Sequence, residues 1–190
     1  MKIRTILLLG LFFVHTQCTQ SKAHSLPHSY KIIPLVTKET FTLNSGGRSI
    51  FGGKSRNYIP VQLPPHTVEW YYAVTTTPEQ VPAPTINLAE QLIKFLTSSG
   101  LMASVIGSLM IPRGSGVCDV FLLHSKKDLN TFLAKKGNVT SLMSGTRQNF
   151  NQGAVRINDD LSGNYFLAMR NPSAFSAVKI TIEVSALVRE

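Results

Sequence analysis

Apolar and polar residues alternate with a period of two through residues 175–187, FSAVKITIEVSAL. Val178, Ile180, Ile182 and Val184 fall on one face, and Lys179, Thr181 and Glu183 on the other. This spacing predicts a half-buried antiparallel strand with its polar set in water. Residues 67–77, TVEWYYAVTTT, repeat the pattern, with Val68, Trp70, Tyr72 and Val74 on one face. Glu69 and Tyr71 take the opposite face and are expected to point outward. Shorter strand-like runs lie at 40–44, 57–63, 117–123, 154–158 and 164–170. Pro60 has no ladder N–H, which confines the second of these to an edge or a bulge. Residues 24–38, with Pro27 and Pro34, read as a leader or an edge strand.

Helical spacing is confined to the middle of the chain. Leu88, Leu92, Phe95 and Leu96 recur three and four apart, Asn87 stands where a cap is needed, and Gly100 ends the run. Residues 101–111 are nearly all apolar or small, so periodicity fits a second helix or a buried strand equally. Ser125 and Asp128 imitate a capping box, and Leu129, Phe132 and Leu133 form the expected buried face. Three prolines in 78–85 lead into the helical stretch, residues 137–153 read as a long irregular connection, and 159–164 as a turn. The sum is a mainly β chain. It is expected to be an antiparallel β-sandwich with one helical insertion (about 86–111) and a short helix near 126–135. One domain spans 40–190, with the insertion at 78–116 and a leader at 24–39.

The N-terminus follows a different rule. Lys2 and Arg4 precede an apolar run over residues 6–14, and Ser21 and Ala23 supply small residues before a cut. This is the layout of a secretory signal over residues 1–23. The run is far shorter than the roughly 20 residues a membrane-spanning helix needs. A second fate is open, because Cys18 lies where a bacterial lipoprotein carries its acylated cysteine. The signal would then end at residue 17, and the lipid anchor would be the only route to membrane association.

Composition adds two constraints. The formal charge is +9, and +6 without Lys2, Arg4 and Lys22, so anionic partners are favoured. The basic residues are scattered, which gives no sign of specific nucleic-acid binding. Of the two cysteines, Cys118 sits between Val117 and Val120 and reads as a buried strand residue.

Candidate chemistry is sparse. Gly46, Gly47, Gly52 and Gly53 with Arg48, Lys54 and Arg56 form a glycine-rich basic loop able to hold an anion, although no helix follows as in a phosphate-binding P-loop. An outward Tyr71 would offer a stacking face to a sugar. Asp159, Asp160 and Asn164 place oxygen ligands in one turn, a candidate for Ca²⁺ without the spacing of a dedicated loop. No other cofactor is indicated. Cys118 and His124 are six apart, about 20 Å along a strand, so a thiol–imidazole pair is not expected.

Residues 118–138, CDVFLLHSKKDLNTFLAKKGN, and 163–184, GNYFLAMRNPSAFSAVKITIEV, resemble the second half of a GOLD-like β-sandwich. The matching residues are Asp119, Phe121, Phe132, Gly163, Tyr165 and Asn171. The resemblance implies a sandwich with a role in protein or lipid contacts, and no catalysis. Similar sandwiches serve as carbohydrate-binding modules and pre-peptidase C-terminal domains, so the fold does not name a ligand. The expectation is an exported, non-enzymatic module of the cell envelope contacting an envelope protein, lipid or glycan. Alternatives are a module for carbohydrate or acidic polymer using Tyr71 and the basic loop, and a membrane-active protein using the apolar 86–111 segment.

Overall fold

The computed structural model describes residues 29–47, 52–99 and 105–190. The expected export signal, Cys18, Arg48 and residues 100–104 lie outside the described residues. The strands are β1 (Tyr30–Leu43), β2 (Arg56–Gln62), β3 (Thr67–Thr77), β4 (Cys118–Leu123), β5 (Leu142–Phe150), β6 (Gln152–Ile157), β7 (Asn164–Arg170) and β8 (Val178–Arg189). The helices are α1 (Leu88–Ser99), α2 (Val105–Ser108) and α3 (Lys126–Leu133). The strands form two four-stranded sheets, ordered β1-β8-β3-β6 and β2-β7-β4-β5, with antiparallel pairing throughout.

The core lies between the sheets, where the period-two residues meet. Trp70, Tyr72 and Val74 of β3 and Ile180, Ile182 and Val184 of β8 pack with Val120 and Leu122 of β4 and Leu167 and Met169 of β7. Burial of these side chains is the main driving force for closing the sandwich. Pro60 falls on the edge strand β2, where a missing ladder donor is tolerated. From Tyr30 onward the segment expected as a leader or an edge strand is an edge strand, paired with β8 and bulged around Pro34.

The outer face of the first sheet is covered, and this corrects the expected facing of two strands. The 78–116 insertion folds over the first sheet, where Ile86, Leu88, Leu92 and Val105 pack on Tyr71 and Ala73. Tyr71, Thr181 and Glu183 are therefore buried, not solvated. Alternation describes a strand with one wet face; a helical layer removes that face from water while leaving polar residues in place. Glu183 answers by accepting the N–H groups of Ile86 and Asn87 at 3.2 Å and of Leu88 at 2.7 Å. It serves the start of α1 in place of the expected Asn87, whose φ of 57° is left-handed.

The apolar 101–111 run is, within its described part, the short helix α2 and an irregular stretch to Pro112, neither a long helix nor a strand. No helix among the described residues is long and apolar enough to cross a membrane. On the other sheet α3 packs Leu129 and Phe132 against Leu123 and Ala168, while Leu133 remains exposed. Its start is capped as expected, with Ser125 Oγ accepting the Asp128 N–H at 3.0 Å.

Residues 142–150 of the expected irregular connection form β5 instead. Pairing with β4 supplies the ladder that composition hides. Gly145 is required there, because a Cβ would strike the Leu122 side chain. Its carbonyl accepts the Tyr72 hydroxyl at 2.8 Å.

Candidate functional site

Strand register places three charged residues in a row across the second sheet. Arg56 of β2 faces Arg170 of β7, and Arg170 faces Asp119 of β4. Like charges opposite each other on neighbouring strands are destabilising unless something compensates. Asp119 compensates one of them. Arg170 Nε donates to Asp119 Oδ2 at 2.7 Å, and the carboxylate's other oxygen accepts the Asn149 N–H at 2.8 Å. Asp119 is buried, so its charge is committed to this pair.

Arg56 is held by uncharged groups. Its Nη1 donates to the Phe132 carbonyl at the end of α3, and its guanidinium lies 4.8 Å from the Phe132 ring centre. Arg170 stacks in the same way, 5.2 Å from the Phe121 ring centre. Burial, and then the charge of Arg170, lower the proton affinity of Arg56 from its ordinary value. Two guanidiniums thus lie side by side on an apolar, aromatic floor, and among the described residues only that of Arg170 is paired with a carboxylate.

Above this floor is a cleft of about 480 Å³ walled by Ser55, Arg56, Lys135, Arg170 and Asn171. Lys135 follows the C-cap of α3 in a left-handed conformation, φ 57°, which turns the chain at the cleft wall. A second compartment of about 370 Å³ shares Ser55, Arg56 and Lys135 and extends to Lys54, Tyr58 and Leu133. Planar guanidinium forks beside flexible ammonium groups are the donor set that recognises phosphate, sulfate or carboxylate.

The wall formed by residues 171–176 is fixed by its own hydrogen bonds. The Asn171 side-chain NH₂ donates to the carbonyls of Leu43 at 3.1 Å and Ser176 at 2.7 Å, and its Oδ1 accepts the Ser173 N–H at 2.9 Å. Ser173 Oγ accepts the N–H groups of Phe175 and Ser176. Gly46 and Gly47 donate their N–H groups to the carbonyls of Ser173 and Ala174. Phe175 stands on this braced loop with 89% of its surface exposed.

Of the residues singled out in the sequence, Lys54 and Arg56 border this cleft. Lys135 and Arg170 were not legible there, because only the β2–β7 register and the end of α3 bring them to Arg56. Tyr71 is elsewhere and enclosed. Its hydroxyl donates to Glu69 Oε1 at 2.6 Å, and Glu69 Oε2 accepts from Arg156 Nε. Burial raises the Tyr71 phenol pKa well above its ordinary range. A buried ring cannot stack on a sugar, so the outward reading of Tyr71 is corrected by the helical layer above it.

The turn with Asp159, Asp160 and Asn164 lies at the Trp70 end of the core. The Asp160 carbonyl accepts Trp70 Nε1–H at 2.9 Å, and its carboxylate accepts the Ser144 hydroxyl at 3.1 Å. Asn164 opens β7 opposite Gln62. No three His, Cys, Asp or Glu residues among the described residues converge in a metal-ligating group. Cys118 is buried with its thiol toward the Phe150 carbonyl at 3.4 Å, and burial pushes its pKa up to about 12. His124 instead packs on Tyr165, with ring centres 5.0 Å apart.

A larger hollow of about 530 Å³ lies along α1, but its central polar group is already engaged. Gln91 donates to the Ile86 and Met110 carbonyls and accepts the Met110 N–H, which fastens the insertion to itself. The basic cleft gathers the cationic side chains of Arg56, Arg170 and Lys135 around one open space. No protein-family model matches this chain, and no curated protein matches it.

Proposed function

We propose that this protein is an exported, non-enzymatic β-sandwich of the cell envelope that binds anionic groups of a partner in the Arg56–Arg170 cleft. The observation that carries the reading is the cross-strand pair of guanidiniums of which, among the described residues, only Arg170 has a carboxylate partner, Asp119. A bound anion would relieve that repulsion, which makes ligand binding and local stability the same event. The net positive charge of the chain would draw such a partner in.

The GOLD-like resemblance supports an interaction role at this place. Four of the six residues that carry it, Asp119, Phe121, Phe132 and Asn171, are those that build the floor and wall of the cleft. The membrane-active alternative built on residues 86–111 has less support, since Ile86, Leu88, Leu92 and Val105 already bury their apolar surface on the first sheet.

The test is titration with dextran sulfate at low and high salt, comparing the native protein with Arg56→Gln and with Lys135→Gln. Each substitution is expected to weaken binding several-fold and to flatten the salt dependence. Unchanged affinity in both variants, with native near-ultraviolet circular dichroism, would remove the cleft from the account.

A further inference from the structure

Apolar side chains that the sandwich does not bury in its own core border the basic cleft or stand on the loop that leaves its wall. Tyr58 and Leu133 border the second compartment, and each is more than a third exposed. Tyr58 meets Phe166 edge-on at a ring separation of 6.0 Å, which sets its orientation. Phe175 projects from the loop that begins at the cleft wall and is almost wholly solvated. A lone exposed apolar residue is ordinary. Here the loop that presents it is braced by Asn171, Ser173 and the two glycine amides, so the ring is held out from the body of the sandwich.

A cationic centre with an aromatic and aliphatic rim has a specific complement. The interfacial layer of a bilayer presents phosphates at the surface and hydrocarbon a few ångströms beneath, and aromatic side chains favour that boundary. A soluble acidic polymer would satisfy Arg56 and Lys135 but would gain nothing from Phe175 or Leu133. We infer that this end of the sandwich docks on an anionic phospholipid surface, the Arg56–Arg170 cleft taking a headgroup phosphate while Phe175 enters the interfacial layer. The inference rests on the anion-binding reading and adds the identity of the partner.

The geometry supports both parts. Arg56 and Arg170 lie side by side across β2 and β7, so one phosphate can bridge them with two oxygens. Lys135 and Lys54 flank them and would meet neighbouring headgroups. Each such cation near an anionic surface strengthens binding by about 1 kcal/mol, so removing one should weaken it about fivefold.

The experiment is co-sedimentation of the purified protein with vesicles of phosphatidylglycerol and phosphatidylcholine, with phosphatidylcholine alone as the neutral arm. All variants carry the same N-terminus, so differences between them report the cleft and the loop. Binding is expected only on the anionic vesicles, lowered about tenfold by Phe175→Ala and about fivefold by Arg56→Gln. Phe175→Ala should leave dextran sulfate binding unchanged. Phe175→Trp should be quenched by brominated phosphatidylglycerol, whereas the buried Trp70 should not.

Equal vesicle binding by native protein and Phe175→Ala, or no quenching of the tryptophan at position 175, overturns the inference. If dextran sulfate binds through the cleft but the vesicles do not, the partner is an acidic polymer: the inference falls and the anion-binding reading stands. Inorganic phosphate that competes with dextran sulfate while vesicles fail to bind overturns the inference in the same way. If neither vesicles nor polymer bind, both readings fall.

Discussion

Glu183 of β8 holds the backbone N–H of Leu88 at 2.7 Å, joining the inner strand of one sheet to the first turn of a helix inserted 95 residues earlier in the chain. The same carboxylate takes the N–H groups of Ile86 and Asn87. Three of the donors that a helix start leaves unsatisfied are thus met by a side chain from another layer. A negative charge at this end of α1 also opposes the helix dipole favourably.

Glu183→Ala should therefore release the insertion before it affects the sandwich. The N–H groups of Ile86 and Leu88, both buried, would lose their acceptor at a cost of about 1–3 kcal/mol for each that stays unsatisfied, while that of the exposed Asn87 can turn to water. The expected outcome is faster amide exchange across residues 88–99 with smaller change in β4 and β7. Equal loss of protection in both regions would show that the insertion and the sandwich unfold as one unit.

Ile180 and Ile182 are fully buried between the sheets, and both are flanked on their strand by β1 and β3. Changing either to Ala should cost about 2–5 kcal/mol, because the packed surroundings cannot collapse around the lost atoms. Chemical denaturation checks this. A loss below about 1 kcal/mol at both positions would contradict their placement in the core.

Much of the sandwich was legible in the sequence because its inner faces obey a period of two. Trp70, Tyr72 and Val74, and likewise Ile180, Ile182 and Val184, lie where the alternation puts them. The opposite faces misled for a physical reason. Tyr71, Thr181 and Glu183 are polar-capable residues that end up buried, and each finds a partner: Tyr71 on its own strand in Glu69, Thr181 on the neighbouring strand in Thr40, and Glu183 in the backbone that opens α1. β5 was illegible because a glycine and several polar residues sit in a strand whose ladder comes from β4. The cleft was half legible. Lys54 and Arg56 stood out in a basic loop, whereas Arg170 and Lys135 join them through pairing that no local pattern encodes.

Cys118 should be inert in the native state. Its thiol is buried, and its pKa is pushed up to about 12 by burial and by the nearby charge of Asp119. Thiol modification near neutral pH should proceed only through opening of the β4–β5 region. The same shift has a consequence for stability. In the unfolded chain the thiol ionises near its ordinary value of 9.0, while the folded state keeps its proton. The unfolded state therefore loses protons first, and this group's contribution to stability falls as pH rises from about 9 toward 12. Cys118→Ala should flatten that alkaline slope. A slope unchanged by the substitution would mean that other groups carry it.

Asp119→Asn gives two effects of opposite sign, which makes it the most discriminating substitution in the cleft. The carboxylate is buried, pairs with Arg170 and accepts the Asn149 N–H. Removing its charge leaves Arg56 and Arg170 facing each other with no compensation, so the apo protein should lose stability. The loss should be about 3–5 kcal/mol if Arg170 behaves as the remaining half of a buried pair, and less to the extent that its partly solvated side chain is screened. The same change doubles the uncompensated charge facing an incoming anion, so affinity for dextran sulfate should rise. Stability and binding would then move in opposite directions, and saturating ligand should recover much of the lost thermal stability. A variant that is both less stable and weaker in binding would show that Asp119 acts by orienting Arg170 rather than by withholding its charge.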